Sequence, residues 1–236
     1  MQSRRRAFLS LATGFAALGL LPRPGLGAPG MKIGIIGSGN VGSNIGASWV
    51  RAGHQVMFSS LHLEQDQALA KRLGGGARAG TPKQAAAFGD VVMVSVPYHA
   101  LPAVGKDVGD LLKGKIVIDT CNPFPHRDGE TGQWALEKGA GLASKALLPG
   151  ARLVRAFNAI GAARMGAAHR EPGKVGMPIA SDDADAVAVA SALVRDVGYE
   201  PVLVGGLEKG RYLMPGTPLA GERSAEEIRT IAAGLH

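Results

Sequence analysis

Cysteine is almost missing from this chain: Cys121 stands alone among 236 residues. A lone cysteine excludes an intrachain disulfide framework and any Cys-rich zinc module. Histidine does not fill the gap, because His54, His126 and His169 are scattered with no ligand spacing for zinc. No metal site is expected. Charged residues are sparse at 19%, against 46% hydrophobic, which excludes a disordered tail and a coiled coil. No internal repeat is visible, and no Ser-His-Asp or paired-carboxylate arrangement stands out. The apolar run from Ala7 to Leu21 would rise about 22 Å as a helix, short of a hydrocarbon core of about 30 Å. A permanent membrane span is therefore not expected. Glycine is what the chain has in excess, with 35 residues, roughly double the usual share. No G-X-Y period accompanies it, so collagen is out and tight turns are expected.

The net charge of +7 is unevenly spread. Residues 1–30 hold Arg4, Arg5, Arg6 and Arg23 and no acid. The rest of the chain is nearly balanced, so no nucleic-acid partner is expected. A charged start, a short apolar run and a small-residue exit read as an address rather than as structure. Arg5-Arg6-x-Phe8-Leu9 resembles a twin-arginine export signal. Residues 1–30 are thus expected to be a signal peptide, and the protein periplasmic or exported. The alternative is translation from Met31 and a cytoplasmic protein.

From Met31 onward, strand and helix patterns alternate. Strands are expected at Met31–Ile36, Gln55–Phe58, Asp90–Val96, Lys115–Asp119, Arg152–Phe157, Val175–Ala180 and Pro201–Val204. Helices are expected at Asn40–Ala52, Leu63–Leu73, from Thr81-Pro82, at Ala100–Leu112, Trp134–Leu148 and Asp182–Val197. Residues 122–133, rich in Pro, Gly and charge, read as a loop. This predicts an α/β fold, a Rossmann-type doubly wound and mostly parallel sheet over residues 31–204. Residues 205–236 follow as an irregular segment with a short helix near Ser224–Ala233.

Gly37-Ser38-Gly39-Asn40-Val41-Gly42 fits G-x-G-x-x-G between the first strand and the first helix, the context that dinucleotide binding requires. The first glycine permits a tight turn, the second lets backbone approach a pyrophosphate, and the third lets helix and strand pack closely. The helix N-terminus then offers free N–H groups to phosphate. An NAD site commonly carries Asp or Glu near the end of the second strand, for the ribose 2′-OH. Here Ser59, Ser60, Leu61 and His62 follow Phe58, and no acid appears before Glu64. That favours NADP(H), with Ser59 and Ser60 as donors and His62, Lys71 and Arg72 as candidate cations.

A longer series of motifs then matches a known family. Ile36 to Gly42, Gly53-His54 with Phe58-Ser59-Ser60, Val94 to Pro97, Lys115 to Asp119 with Asn122-Pro123, Leu148 to Ala151, Arg155 to Ile160 and Ala180 to Asp183 keep their order and spacing. In these segments the chain resembles the NADP oxidoreductases that use coenzyme F-420, a deazaflavin. It is also similar to the reductase domain of the six-transmembrane metalloreductases. The resemblance implies NADPH binding and hydride exchange with a flavin-like ring: coenzyme F-420, FMN or FAD. Carried over by position, Ser38, Gly39, Asn40 and Val41 would hold the pyrophosphate, and Ser60 the 2′-phosphate. Val96 and Pro97 would pack under the nicotinamide half, and Asn158 to Ala162 would line the meeting place of the rings. Asn122 and Pro123 join the cofactor-binding set. Many relatives place Arg after the serine matched by Ser60, whereas this chain has Leu61.

Hydride transfer between two such rings needs little acid–base help, because the cofactors carry the electronics. His99 and Asn158 are the candidate catalytic residues: His99 could protonate a reduced ring, and Asn158 could bond a carboxamide or ring carbonyl. Cys121 reads as a buried filler, and Asp182-Asp183 as a helix cap. The expected partner is a small-molecule redox acceptor, and a homodimer is compatible with the sequence. Two other functions fit the same binding residues. One is an imine or carbonyl reductase acting on a small substrate, and the other is an NADP-binding module without turnover.

Overall fold

The first strand, β1 (Lys32–Ile36), explains the architecture. Ile33, Ile35 and Ile36 are almost wholly buried although neighbours on a strand point to opposite faces. Both faces of the sheet must therefore be covered, as in parallel α/β proteins. The computed structural model describes residues 30–235, so the expected signal peptide at residues 1–30 lies almost entirely outside the described residues.

After β1 come α1 (Asn40–Arg51), β2 (Gln55–Ser59), α2 (Leu63–Leu73), β3 (Ala77–Ala79), α3 (Pro82–Phe88), β4 (Val91–Val94) and α4 (Leu101–Leu112). The chain continues with β5 (Ile116–Asp119), α5 (Pro125–Lys138), α6 (Ala140–Leu147), β6 (Arg152–Arg155), α7 (Ala162–Met165), β7 (Gly176–Ala180), α8 (Ala184–Val197), β8 (Glu200–Gly205) and α9 (Ala225–Ala233). The strands form an eight-stranded sheet in the order β3-β2-β1-β4-β5-β6-β7-β8. Pairing is parallel throughout except between β6 and β7, which meet antiparallel at Arg155 and Ala180. The order reverses at β1 and β4, and this is the switch point where ligands bind in such sheets.

Two cores lie on the two faces. Ile35, Met93, Ile118 and Val154 join Ile45 and Trp49 of α1 and Leu193 of α8. Ile36, Val94, Val117 and Leu153 join Leu101 and Leu112 of α4 and Ala143 of α6. Trp49 locks α1 to α8, donating its indole N–H to the Leu193 carbonyl at 2.9 Å. A smaller cluster of Val202, Leu213, Leu219 and Ile228 seats α9 against the β7–β8 end.

The structure departs from the sequence expectation in three places. The three-residue strand β3 has no hydrophobic signal of its own and exists because Val56 and Phe58 offer it a ladder. The segment 122–133 is not a loop throughout. Pro125 opens α5, and Asp128 accepts the Phe124 N–H at 2.8 Å, although Gly129 at φ 54° breaks the helix into two pieces. The antiparallel β6–β7 step falls within the mostly parallel sheet expected, and arises because the connection through α7 lacks a full crossover helix. Finally, β8 runs on to Gly205, so residues 205–236 begin within the sheet.

Candidate active site

The loops that leave β1, β2, β4, β5 and β6 open on one edge, because these strands are parallel neighbours. At its centre is the glycine turn. Gly37 adopts φ 99°, and a Cβ there would sit 2.2 Å from the Ser95 carbonyl oxygen. Gly42 is equally confined, with its own turn's Gly37 oxygen 2.1 Å from a Cβ. Gly39 differs, since a Cβ there would meet nothing within 4 Å. One glycine makes the turn, another lets α1 pack, and the exposed Gly39 leaves open space in front of the backbone. Gly39 is also the N-cap of α1 and offers no side chain to its N–H groups. Those amides and the helix dipole are free for an anion. The cradle therefore fits a dinucleotide pyrophosphate.

Gly37 and Ser38 both donate their N–H groups to the Ser59 carbonyl, at 2.9 and 3.1 Å. The Ser59 side chain corrects the sequence expectation. It is fully buried and donates to the Ile35 carbonyl at 2.7 Å, so it cannot reach a ligand. Ser60 does lie at the edge. It donates to the Asp66 carboxylate at 2.8 Å and accepts the His62 N–H at 3.0 Å. Ser38 donates to the other Asp66 oxygen. His62 is exposed beside them. Lys71 and Arg72 are in the last turn of α2, more than two turns from the strand end, and do not join the site. Leu61 is 95% exposed. Asp66 is the residue that sequence reading missed, because it enters from the helix rather than the strand.

On the other side of the glycine turn, Val96 packs against Gly37, and Pro97 is exposed at the rim. Tyr98 turns inward, donating to the Ala140 carbonyl at 3.0 Å, and burial pushes its hydroxyl pKa up. His99 stays half exposed, and its Nδ1 lies 2.8 Å from Asp128. Burial works against the charge on Asp128. Hydrogen bonds from Arg127, Phe124 and His99 outweigh it and hold the carboxyl well below its usual range. An ionised carboxylate only accepts. Nδ1 of His99 therefore carries the proton of that bond, which fixes the tautomer and leaves Nε2 the acceptor nitrogen of the neutral ring.

Beyond β5 and β6 a buried network fixes Asn122 and Asn158. Arg155 and Asp119 are both fully buried and pair at 2.5 Å. Arg155 also donates to the Cys121 carbonyl at 3.0 Å and to Asn122 Oδ1 at 3.2 Å. Asn122 donates to the Asn158 carbonyl at 2.8 Å, and Asn158 returns its amide to Asn122 Oδ1 at 3.3 Å. The turn that permits this has Phe157 at φ 63°, a conformation costing about 1–3 kcal/mol for a side chain of this size. Edge contacts with Trp49 at 6.1 Å and Tyr199 at 6.5 Å hold it there. Asn158 Oδ1 is buried without a partner, an acceptor waiting for a donor. Pro123 is buried under this loop. Ala162 opens α7, where its carbonyl takes the Asn44 amide at 2.8 Å and ties that segment to α1. Cys121 is buried, and desolvation raises its thiol pKa, which leaves it a filler rather than a nucleophile. Asp183 caps α8 by accepting the Ala186 N–H at 2.9 Å. Among the described residues no cluster of three or more His, Cys, Asp or Glu could hold a metal. Among the same residues no helix is long and apolar enough to cross a membrane.

Comparison with known proteins decides the family. The family described as NADP oxidoreductase, coenzyme F420-dependent, matches residues 32–123. An F420-dependent NADP reductase of Methanothermobacter thermautotrophicus is 30% identical over 203 residues, covering 80% of this chain and 87% of that protein. The chain belongs to the coenzyme F420-dependent NADP oxidoreductase family. As a member it is an NAD(P)-dependent oxidoreductase on a Rossmann-type fold. The metalloreductase STEAP3 of Rattus norvegicus is 29% identical over 183 residues, which cover 76% of this chain and 35% of that protein. Among solved structures, a hypothetical protein of Sinorhizobium meliloti superposes with a TM-score of 0.68 at 25% identity, covering 82% of this chain and 95% of its own.

Proposed function

We propose that this oxidoreductase passes a hydride between NADP(H) and a deazaflavin ring of the coenzyme F-420 type. The observation that carries the reading is the opening at Gly39 on the same edge as the unpartnered Asn158 Oδ1. Bound nicotinamide would supply the hydride chemistry. The chain's own groups bind and orient. Amides of Gly39 to Val41 at the α1 N-terminus hold the pyrophosphate, since that of Ser38 is spent on the Ser59 carbonyl, while the Ser38 and Ser60 side chains lie at the adenosine end. Val96 and Pro97 form the floor of the ring end. Asn158 Oδ1 is the acceptor for a carboxamide N–H, and Asn122 keeps it in place. Small residues at Ala159, Gly161 and Ala162 leave room for a flat acceptor. His99, oriented by Asp128, holds or releases a proton at Nε2.

Names of relatives support F-420 as acceptor, since F420-dependent reductases are among them. Stopped-flow oxidation of NADPH by F-420, FMN, FAD and small imines tests the reading. Fast oxidation by F-420 alone is the expected result. Oxidation by an imine alone would make the protein a direct imine reductase, and binding with no oxidation at all would make it a nucleotide-binding module. The twin-arginine-like segment around Arg5-Arg6 further supports export of the folded chain with its cofactor already held. Retention of an Arg5→Lys, Arg6→Lys variant in the cytoplasm, with the parent chain in the periplasm, is the expected outcome.

A further inference from the structure

Asp66 is not used in the reading above, yet it stands at the adenosine end of the site. It lies in the first turn of α2 and is 2% exposed. One oxygen accepts the hydroxyl of Ser38 in the glycine turn, and the other accepts that of Ser60 beyond β2, at 2.8 Å. These are the two serines that the family resemblance assigns to cofactor phosphates. A hydroxyl has a single hydrogen to donate. With both hydrogens directed at Asp66, each serine turns lone pairs rather than a donor toward an incoming phosphate oxygen. An ionised carboxylate adds negative charge at the same place. Little opposes it: Leu61 is uncharged, His62 is exposed, and Lys71 and Arg72 sit at the far end of α2.

A ribose diol meets this edge differently, because its hydroxyls can donate to the serine lone pairs that the buried Asp66 carboxylate turns outward. A carboxylate in this region of a Rossmann fold marks NAD sites, there by direct contact and here through the two serines. We propose that Asp66 is a specificity-determining residue that weakens the preference for the 2′-phosphate, so that the chain takes NAD(H) about as readily as NADP(H). The inference rests on the nucleotide reading of the site. The same two hydrogen bonds also pin α2 to the glycine turn, and the test separates the two roles.

Isothermal titration of the full chain with NADH and with NADPH gives the ratio of dissociation constants. The parent chain is expected to bind the two within about tenfold of each other, about 1.4 kcal/mol. Asp66→Asn keeps size while removing the charge and, because its amide nitrogen donates where a carboxylate oxygen accepted, releases one serine hydrogen; it should favour NADPH over NADH by at least about tenfold more than the parent. Glu64→Gln removes an exposed charge from the same helical turn and should leave the ratio unchanged. Asp66→Ser serves as a second uncharged variant, with thermal melting reporting whether each is folded. A folded Asp66 variant that shifts both affinities equally would show a structural role alone and overturn the proposal. If neither variant folds, the parent ratio decides, and a preference for NADPH above about a hundredfold overturns it. Binding of neither nucleotide would overturn the nucleotide reading, and this inference with it.

Discussion

The two ends of the binding edge are built on different principles. At the adenosine end, the glycine turn is backbone held by backbone, with Ser59 O as its anchor and one buried carboxylate, Asp66, across two hydroxyls. At the ring end, a fully buried ion pair, a strained phenylalanine and a pair of asparagines lock each other in place. The first design tolerates changes of side chain, since the atoms we propose to bind are main-chain amides. The second has little such tolerance, because its polar groups, Asn158 Oδ1 and Arg155 Nε apart, are satisfied by others remote in sequence. Selectivity can therefore drift at the adenosine end, while ring placement is fixed by the fold.

The largest effect should come from the ring end. Arg155→Met leaves Asp119 charged, buried and unpaired, and is expected to destabilise the chain by about 3–5 kcal/mol. Urea unfolding measures this, and a loss below about 1 kcal/mol would show that the network is not what holds this end. At the adenosine end, Gly39→Leu should preserve the fold, because a Cβ there meets open space. It should weaken nucleotide binding at least about a hundredfold, near 2.7 kcal/mol, by filling the cradle. Equal melting temperatures with lost binding would confirm the contrast between the two ends, whereas unchanged affinity would break it.

His99→Ala is expected to slow turnover with F-420 by about tenfold, below the usual general acid–base effect of about 10²–10⁴-fold because the rings carry the electronics, with nucleotide affinity unaltered. Single-turnover absorbance measures the step, and an unchanged rate would reduce His99 to a helix-entry residue. The smallest effect lies away from the edge. The Arg152 guanidinium beside Asp183 lowers its pKa to about 2. Such a depressed carboxyl stabilises the fold above its unfolded value, near pH 4, and that contribution is lost as pH falls toward about 2. Asp183→Asn should flatten this part of the acid-unfolding curve slightly, and a curve identical to that of the parent would contradict the assignment.

Legibility in the sequence followed the same division. The glycine turn, its flanking strand and helix, and the Asp183 cap rest on neighbours in the chain, and each is plain in local pattern. The small strand β3 and the antiparallel β6–β7 step depend on what lies beside them in space, so period and propensity do not reveal them. The opening of α5 turns on the Asp128 carboxylate reaching back to Phe124 within a segment whose composition reads as loop. Ser59 illustrates the limit most simply. At a strand end, alternation alone does not tell whether the hydroxyl faces a ligand or the Ile35 carbonyl. Asp66 was hidden because a rule about the end of β2 looks along the strand, while the carboxylate arrives from the first turn of α2.

A crystal structure of the full chain grown with NADPH tests the central claim most directly. The account predicts density for the pyrophosphate against the amides of Gly39 to Val41, with the nicotinamide ring between Val96 and Asn158. Nucleotide bound elsewhere on the molecule, or a glycine turn with no ligand density at saturating NADPH, would contradict it.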